Sequence, residues 1–163
     1  MVFRPDGLGI VWFGTDPAAT IAAVEAYLGF PPTADTGWVG NLVYGVCPGT
    51  TYRRVSFDGL DLEFADAGYF GAGGSAPQFF TYRYTGSPPG ITPGPPQSVD
   101  VGMTVAALQA MYPGVTLYPG DELFGPTFRV STASQYEQLW GQLTGNSATD
   151  TVLSVTGGIG CGE

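Results

Sequence analysis

The 163-residue sequence contains no histidine and no lysine, and its only basic residues are five arginines. Without histidine, the chain lacks the usual general base of serine and cysteine hydrolases and the commonest protein ligand of transition metals. Its two cysteines, Cys47 and Cys161, lie too far apart in sequence to predict a zinc site. We therefore expect no catalytic residue of these classes, no metal site and no cofactor.

Charge is scarce and mostly negative. Charged residues make up 12% of the chain, and fourteen acids against five arginines give a net charge of −9. Such a surface repels the phosphate backbone of nucleic acids and the anionic face of a membrane. The sequence also lacks the run of about 18 apolar residues that a membrane-spanning helix requires. We expect neither nucleic-acid binding nor membrane insertion.

Apolar residues, in contrast, are plentiful enough for a folded core. Hydrophobic residues make up 44% of the chain, while 26 glycines and 14 prolines predict many turns. Prolines and glycines are concentrated between Thr85 and Ser98, a composition that cannot occupy the centre of a sheet. The predicted organisation is therefore a first unit, residues 1–84, a linker, residues 85–98, and a second unit, residues 99–163.

Residues 11–29 and 99–114 repeat one pattern, in which an apolar run and a glycine precede a helix with clear start and stop signals. Thr15 or Asp16 is a suitable N-cap for the first helix and Thr104 for the second, and Gly29 ends the first helix. Strand-like segments follow each helix. The predicted fold class is α+β, with two pseudo-repeated helix-plus-antiparallel-strands units that share a curved sheet.

The segment YRRVSFDGLDLEF predicts a β-hairpin. The dipeptide Asp58-Gly59 favours a type I′ turn, because both central residues of that turn need a positive φ. A two-residue turn places Val55 opposite Leu62 on the apolar face. It also places Arg54 opposite Glu63, and we expect that pair to lie on the solvent face.

Carboxylates around this hairpin leave an enzymatic function open. The acids that crowd the segment are Asp58, Asp61, Glu63 and Asp66. A glycan hydrolase would need two carboxyl groups across a groove, one of them with a raised pKa. Asp61 and Glu63, however, alternate with apolar residues, which is typical of a solvated strand face. The sequence does not decide whether the protein is an enzyme, but it favours a non-enzymatic function.

Two stretches carry a resemblance to a known family. Phe13–Gly29, FGTDPAATIAAVEAYLG, and Val101–Gly114, VGMTVAALQAMYPG, are similar to the repeated unit of the secreted β-lactamase inhibitory proteins of actinobacteria. Similar units occur in small bacterial lipoproteins that assist outer-membrane assembly. The resemblance implies a sheet whose open face grips a protein partner. The sequence departs from those inhibitors in the loop PGTTY after Cys47, which lacks the acidic residue that they carry there.

The two cysteines help to predict the cellular location of the protein. An even cysteine count in an exported chain predicts a Cys47–Cys161 disulfide. The N-terminal MVFRPDG has none of the features of a signal peptide. We expect a secreted or cell-envelope protein whose signal peptide is not part of this sequence. The alternative is a cytosolic protein with two buried free thiols.

Aromatic residues on the strand-like segments supply the candidate binding site. Tyrosine, tryptophan and arginine dominate protein interfaces, and we predict Tyr52, Tyr82, Tyr84 and Trp140 as exposed binding residues. The same side chains would otherwise fill the core beneath the helices. The predicted function is a non-enzymatic, exported, inhibitor-like module that binds a protein partner with an aromatic, acidic sheet face. The alternatives are the hydrolase of envelope glycans and a structural envelope component.

Overall fold

The structure is a computed structural model that describes residues 1–43, 45–67, 77–86, 98–134 and 136–161. Within these residues the chain forms two antiparallel sheets and two short helices. Most of the predicted linker, residues 85–98, lies outside the described residues.

The N-terminal residues fold into a small three-stranded meander. Its strands are β1 (Phe3–Arg4), β2 (Gly7–Leu8) and β3 (Val11–Trp12). Gly7 permits the tight pairing, since a Cβ at this position would lie 2.4 Å from the carbonyl oxygen of Val11. Phe3 and Leu8 are buried in the main core, so the meander packs on one face of the second, larger sheet.

The main sheet contains nine strands among the residues that the structure describes. They are β4 (Ala34–Asp35), β5 (Val39–Gly40), β6 (Thr51–Ser56), β7 (Leu60–Ala65), β8 (Gln78–Tyr84), β9 (Thr116–Tyr118), β10 (Thr127–Val130), β11 (Leu139–Gln142) and β12 (Val155–Gly158). Their order is β4-β6-β7-β8-β12-β11-β10-β9, and β5 also pairs with β6. The antiparallel ladder between β8 and β12 joins strands from before and after the predicted linker into one sheet.

The two helices, α1 (Pro17–Leu28) and α2 (Val105–Met111), begin where the sequence predicts. The side chains of Asp16 and Thr104 each accept a hydrogen bond from the backbone N–H three residues further on. Gly29 ends α1 with a left-handed φ of 80°. Both helices bury one apolar face in the main core, on the same face of the main sheet as the meander.

The predicted α+β fold of two repeated helix-plus-strands units is wrong, because the protein is mainly β. The apolar run before α1 is β3, which belongs to the meander, whereas residues 99–102 before α2 form no strand. The helices also differ in length, with 12 residues in α1 and seven in α2. The repeated phrase contains helix start and stop signals, which are local and do not determine the strand that precedes a helix.

The predicted hairpin is confirmed between β6 and β7. Asp58 and Gly59 have φ values of 47° and 97°, as a type I′ turn requires. Val55 pairs with Leu62, in the predicted register. Val55 and Leu62, with Phe57 and Leu60 beside the turn, bury their side chains in the main core, which fixes which face of each strand is apolar.

Candidate functional site on the open face of the main sheet

The face of the main sheet opposite the helices carries a row of polar side chains. Directly paired residues in adjacent strands point to the same face. The pairs that define this row join Ser56 to Asp61, Asp61 to Arg83, Arg83 to Thr156, Thr156 to Trp140, and Trp140 to Arg129. We call the face that carries these six residues the open face.

A groove of about 470 Å³ lies on the open face. Strands β6, β7, β8, β10, β11 and β12 supply side chains to its lining, and most of these are polar. The turn between β9 and β10 contributes Leu123 and Phe124, and the C-terminal segment, residues 159–161, contributes Gly160 and Cys161. The groove therefore combines a rigid sheet floor with two non-strand segments.

An ion pair between Arg54 and Glu63 lines the groove, with Nη2 of the guanidinium 3.2 Å from Oε1 of the carboxylate. Nε of Arg54 also donates to the hydroxyl of Tyr52 at 2.9 Å. Burial raises the pKa of Glu63, and the Arg54 guanidinium offsets only part of that effect. The pair confirms the predicted register, but the predicted solvent exposure of Glu63 is wrong, since its side chain is only 9% exposed.

The Cys47–Cys161 disulfide is present, as predicted, and explains why Glu63 is buried. Sγ of Cys161 lies 3.9 Å from Oε2 of Glu63, so the bridged C-terminal segment covers this carboxylate. Cys47 is itself buried against Tyr52 and Phe80 in a second small core. A disulfide of this kind is compatible with an extracellular location.

Trp140 is the one predicted binding residue that the structure places in the groove lining with part of its surface exposed. Its indole Nε1 donates to the carbonyl oxygen of Gly158 at 3.3 Å. A Cβ built on Gly160 would lie 3.4 Å from Cζ2 of the ring. The hydrogen bond to β12 orients the indole, and the backbone of Gly160 lies beside the ring.

The three predicted tyrosines are buried, and their expected exposure is wrong. Tyr52 and Tyr82 have no exposed surface and Tyr84 is 5% exposed. The Tyr82 hydroxyl donates to the carbonyl oxygen of Arg4 at 2.9 Å, and Tyr84 stacks on Phe3 with ring centroids 4.4 Å apart. Both rings lie on the face that the meander covers. Tyr52 is on the other face, where the disulfide-bonded segment covers it.

The turn between β9 and β10 presents two large apolar side chains that the sequence analysis missed. Leu123 is 86% exposed and Phe124 is 54% exposed. Oδ1 of Asp121 accepts hydrogen bonds from the N–H groups of both residues, at 2.8 and 2.9 Å, and these bonds lower the pKa of Asp121. We call residues 121–124 the rim turn. Two adjacent large apolar residues inside the turn-forming PGDELFGP were the available signal.

Two arginines of the open face are exposed and form no ion pair with any residue that the structure describes. These are Arg83, in the groove lining, and Arg129, outside it. The other three arginines pair with Asp6, Asp35 and Glu63. A guanidinium group beside aromatic and apolar side chains can bind a carboxylate and a neighbouring apolar group at once.

Across the described ranges, no group of three or more histidine, cysteine, aspartate or glutamate residues could hold a metal ion. Among the same residues, neither helix has the length and hydropathy needed to cross a membrane. Comparison with protein-family models, curated proteins and solved structures gave no match.

Proposed function

We propose that the protein is an exported, non-enzymatic binding module that grips a protein partner with the open face of its main sheet. The observation that carries this proposal is the rim turn, which holds Leu123 and Phe124 exposed beside a groove lined by Trp140 and Arg83. Exposed apolar side chains with polar surroundings are typical of interaction sites. Tryptophan and arginine are also the residue types most often found at the energetic centre of protein interfaces.

The groove is already ordered before a partner arrives. Asp121 accepts two backbone hydrogen bonds within the rim turn, and Gly158 of β12 accepts one from the Trp140 ring. Binding to such a surface costs little side-chain and loop entropy. A stable complex would bury about 800 Å² on each partner, so the partner would extend beyond the groove along the open face.

The chemistry of the groove supports binding over hydrolysis. Glu63, the acid in its lining, is buried and held in an ion pair with Arg54, so a structural contact already occupies its carboxyl group. Asp61 accepts a hydrogen bond from the Ser56 hydroxyl at 2.6 Å. These contacts give both carboxylates structural partners.

A carboxylate-based hydrolase of envelope glycans is the second candidate. The observation that favours it is the raised pKa of the buried Glu63, with Asp61 two residues away on the same face of β7. A raised pKa is what a general acid needs, and a second carboxylate would complete the pair.

The test compares two matched double variants as bait. Leu123→Ala/Phe124→Ala removes the exposed pair of the rim turn, and Leu42→Ala/Val43→Ala removes another exposed apolar pair, in the loop between β5 and β6. Immobilised wild-type protein captures a partner from the exported proteins of the source organism, and mass spectrometry identifies it. The purified partner is then titrated into all three proteins by calorimetry.

We expect the rim-turn variant to bind at least about tenfold more weakly, while the control stays within about twofold of wild type. Equal affinity of all three proteins would contradict the proposal. Release of sugars from cell-wall glycan by the wild type, abolished in both Glu63→Gln and Asp61→Asn, would instead establish the hydrolase.

A further inference from the structure

The open face concentrates positive charge in an acidic protein. Three of the five arginines lie on it, at positions 54, 83 and 129, although the net charge of the chain is −9. The carboxylates of Glu63 and Asp61 already have partners, in Arg54 and Ser56. Screening confines electrostatic effects to about 8 Å at physiological ionic strength. A bound group in the groove therefore interacts mainly with the charges that line it, Arg54, Glu63 and Arg83, rather than with the net charge of the whole chain.

Arg83 is the cation best placed to bind a ligand. It lies on β8 between Asp61 of β7 and Thr156 of β12, it is exposed, and it lines the groove. Within the described residues it forms no ion pair. The planar guanidinium can bind both oxygens of a carboxylate.

An apolar contact lies at a fixed distance from this cation. Trp140 is in the same row as Arg83, two strands away, which corresponds to about 10 Å between backbones. Phe124 lines the same groove from the rim turn. In an extended chain, side chains on one face repeat about every 7 Å, so an acidic residue and an apolar residue two positions apart can reach both contacts.

Resting on the proposed function, we infer that the groove selects partners with an exposed segment in which an aspartate or glutamate lies within two residues of a large apolar side chain. Arg83 binds the carboxylate, while Trp140 and Phe124 bind the apolar group. This charge preference is the opposite of the one expected from the net charge of the protein.

The experiment uses a displayed library of random peptides, selected in parallel on the full-length wild type, Arg83→Gln and Arg129→Gln. Arg129 is the matched control, because it is exposed, lies in the same row and is outside the groove lining. Circular dichroism and thermal melting confirm that each variant is folded. Every selected peptide is also tested against Leu123→Ala/Phe124→Ala.

We expect the wild-type and Arg129→Gln pools to be enriched in an acid within two positions of an aromatic or leucine residue. The Arg83→Gln pool should keep the apolar preference and lose the acid. A selected peptide and its twin with glutamine in place of the acid should differ about tenfold in affinity for the wild type and less than about twofold for Arg83→Gln.

Two outcomes separate this inference from the proposed function. The selected peptides could require the rim turn but show no preference for an acid, or they could show the same preference for an acid when selected on Arg83→Gln. Either result would overturn the inference and leave the proposed binding face intact. Peptides that bind wild type and Leu123→Ala/Phe124→Ala equally would overturn both.

Discussion

Removal of the disulfide should weaken both the fold and the groove. In the double variant Cys47→Ser/Cys161→Ser, the unfolded chain is no longer closed into a loop between residues 114 positions apart. The chain-entropy relation gives about 4.8 kcal/mol at 25 °C for a loop of this length, and measured losses for native disulfides are about 2–5 kcal/mol. We expect the free energy of unfolding to fall by at least about 2 kcal/mol.

The same change should loosen the C-terminal segment over the groove. That segment covers Glu63, and its Gly160 lies beside the Trp140 ring. Its release would let water reach the Glu63 carboxylate, so the pKa of this group should move down from its raised value. Affinity for a partner that contacts Trp140 should therefore fall as well.

Urea titrations followed by circular dichroism measure the loss of stability. Wild-type protein reduced and alkylated before unfolding is the control, and it should match the serine variant. A loss below about 1 kcal/mol, with an unchanged dependence on urea, would refute the reasoning. It would show that other contacts already hold the C-terminal segment in place.

Further predictions concern packing and pH. Gly157→Ala should cost about 1–3 kcal/mol in a urea titration, since the new Cβ would lie 2.3 Å from Cε1 of the buried Tyr82 ring; a neutral result would contradict this packing. Gly114→Ala, with no heavy atom within 4 Å of the new Cβ, is the control. Burial raises the pKa of Glu63, so its contribution to stability is fully present below the unfolded pKa, about 4.3, and is lost as pH rises through the folded pKa. Between these two pKa values the wild type should therefore lose stability relative to Glu63→Gln as the pH rises. If the free energies of unfolding of the two proteins change with pH in the same way, burial does not raise the pKa of Glu63.

Features encoded in a few neighbouring residues could be predicted from the sequence. The hairpin turn requires a positive φ at Asp58 and Gly59. The Asp-Gly dipeptide favours these values by itself, independently of contacts with the rest of the fold. The N-caps Asp16 and Thr104 satisfy helix ends within one turn. These elements match the sequence because local geometry alone determines them.

Features that depend on distant contacts could not be predicted. Strand alternation places Tyr82 and Tyr84 on one face, but only the packing of the N-terminal meander shows that this face is the covered one. The alternating pattern of β7 predicts that Glu63 faces solvent. That pattern does not reveal that Cys161, 98 positions further along the chain, lies over its carboxylate. Leu123 and Phe124 differ from these cases, because the hydrogen bonds of the rim turn are local and the segment PGDELFGP could have indicated them.

Hydrogen–deuterium exchange on the complex with the captured partner tests the binding face most directly. The account predicts slower exchange in the complex for backbone amides of the rim turn, β8 and β11, with Trp140 and Arg83 inside the protected segments. Helices α1 and α2, on the other face of the sheet, should exchange as in the free protein. Protection confined to the helices, to the N-terminal meander or to the loop between β5 and β6 would contradict the claim that the open face holds the partner.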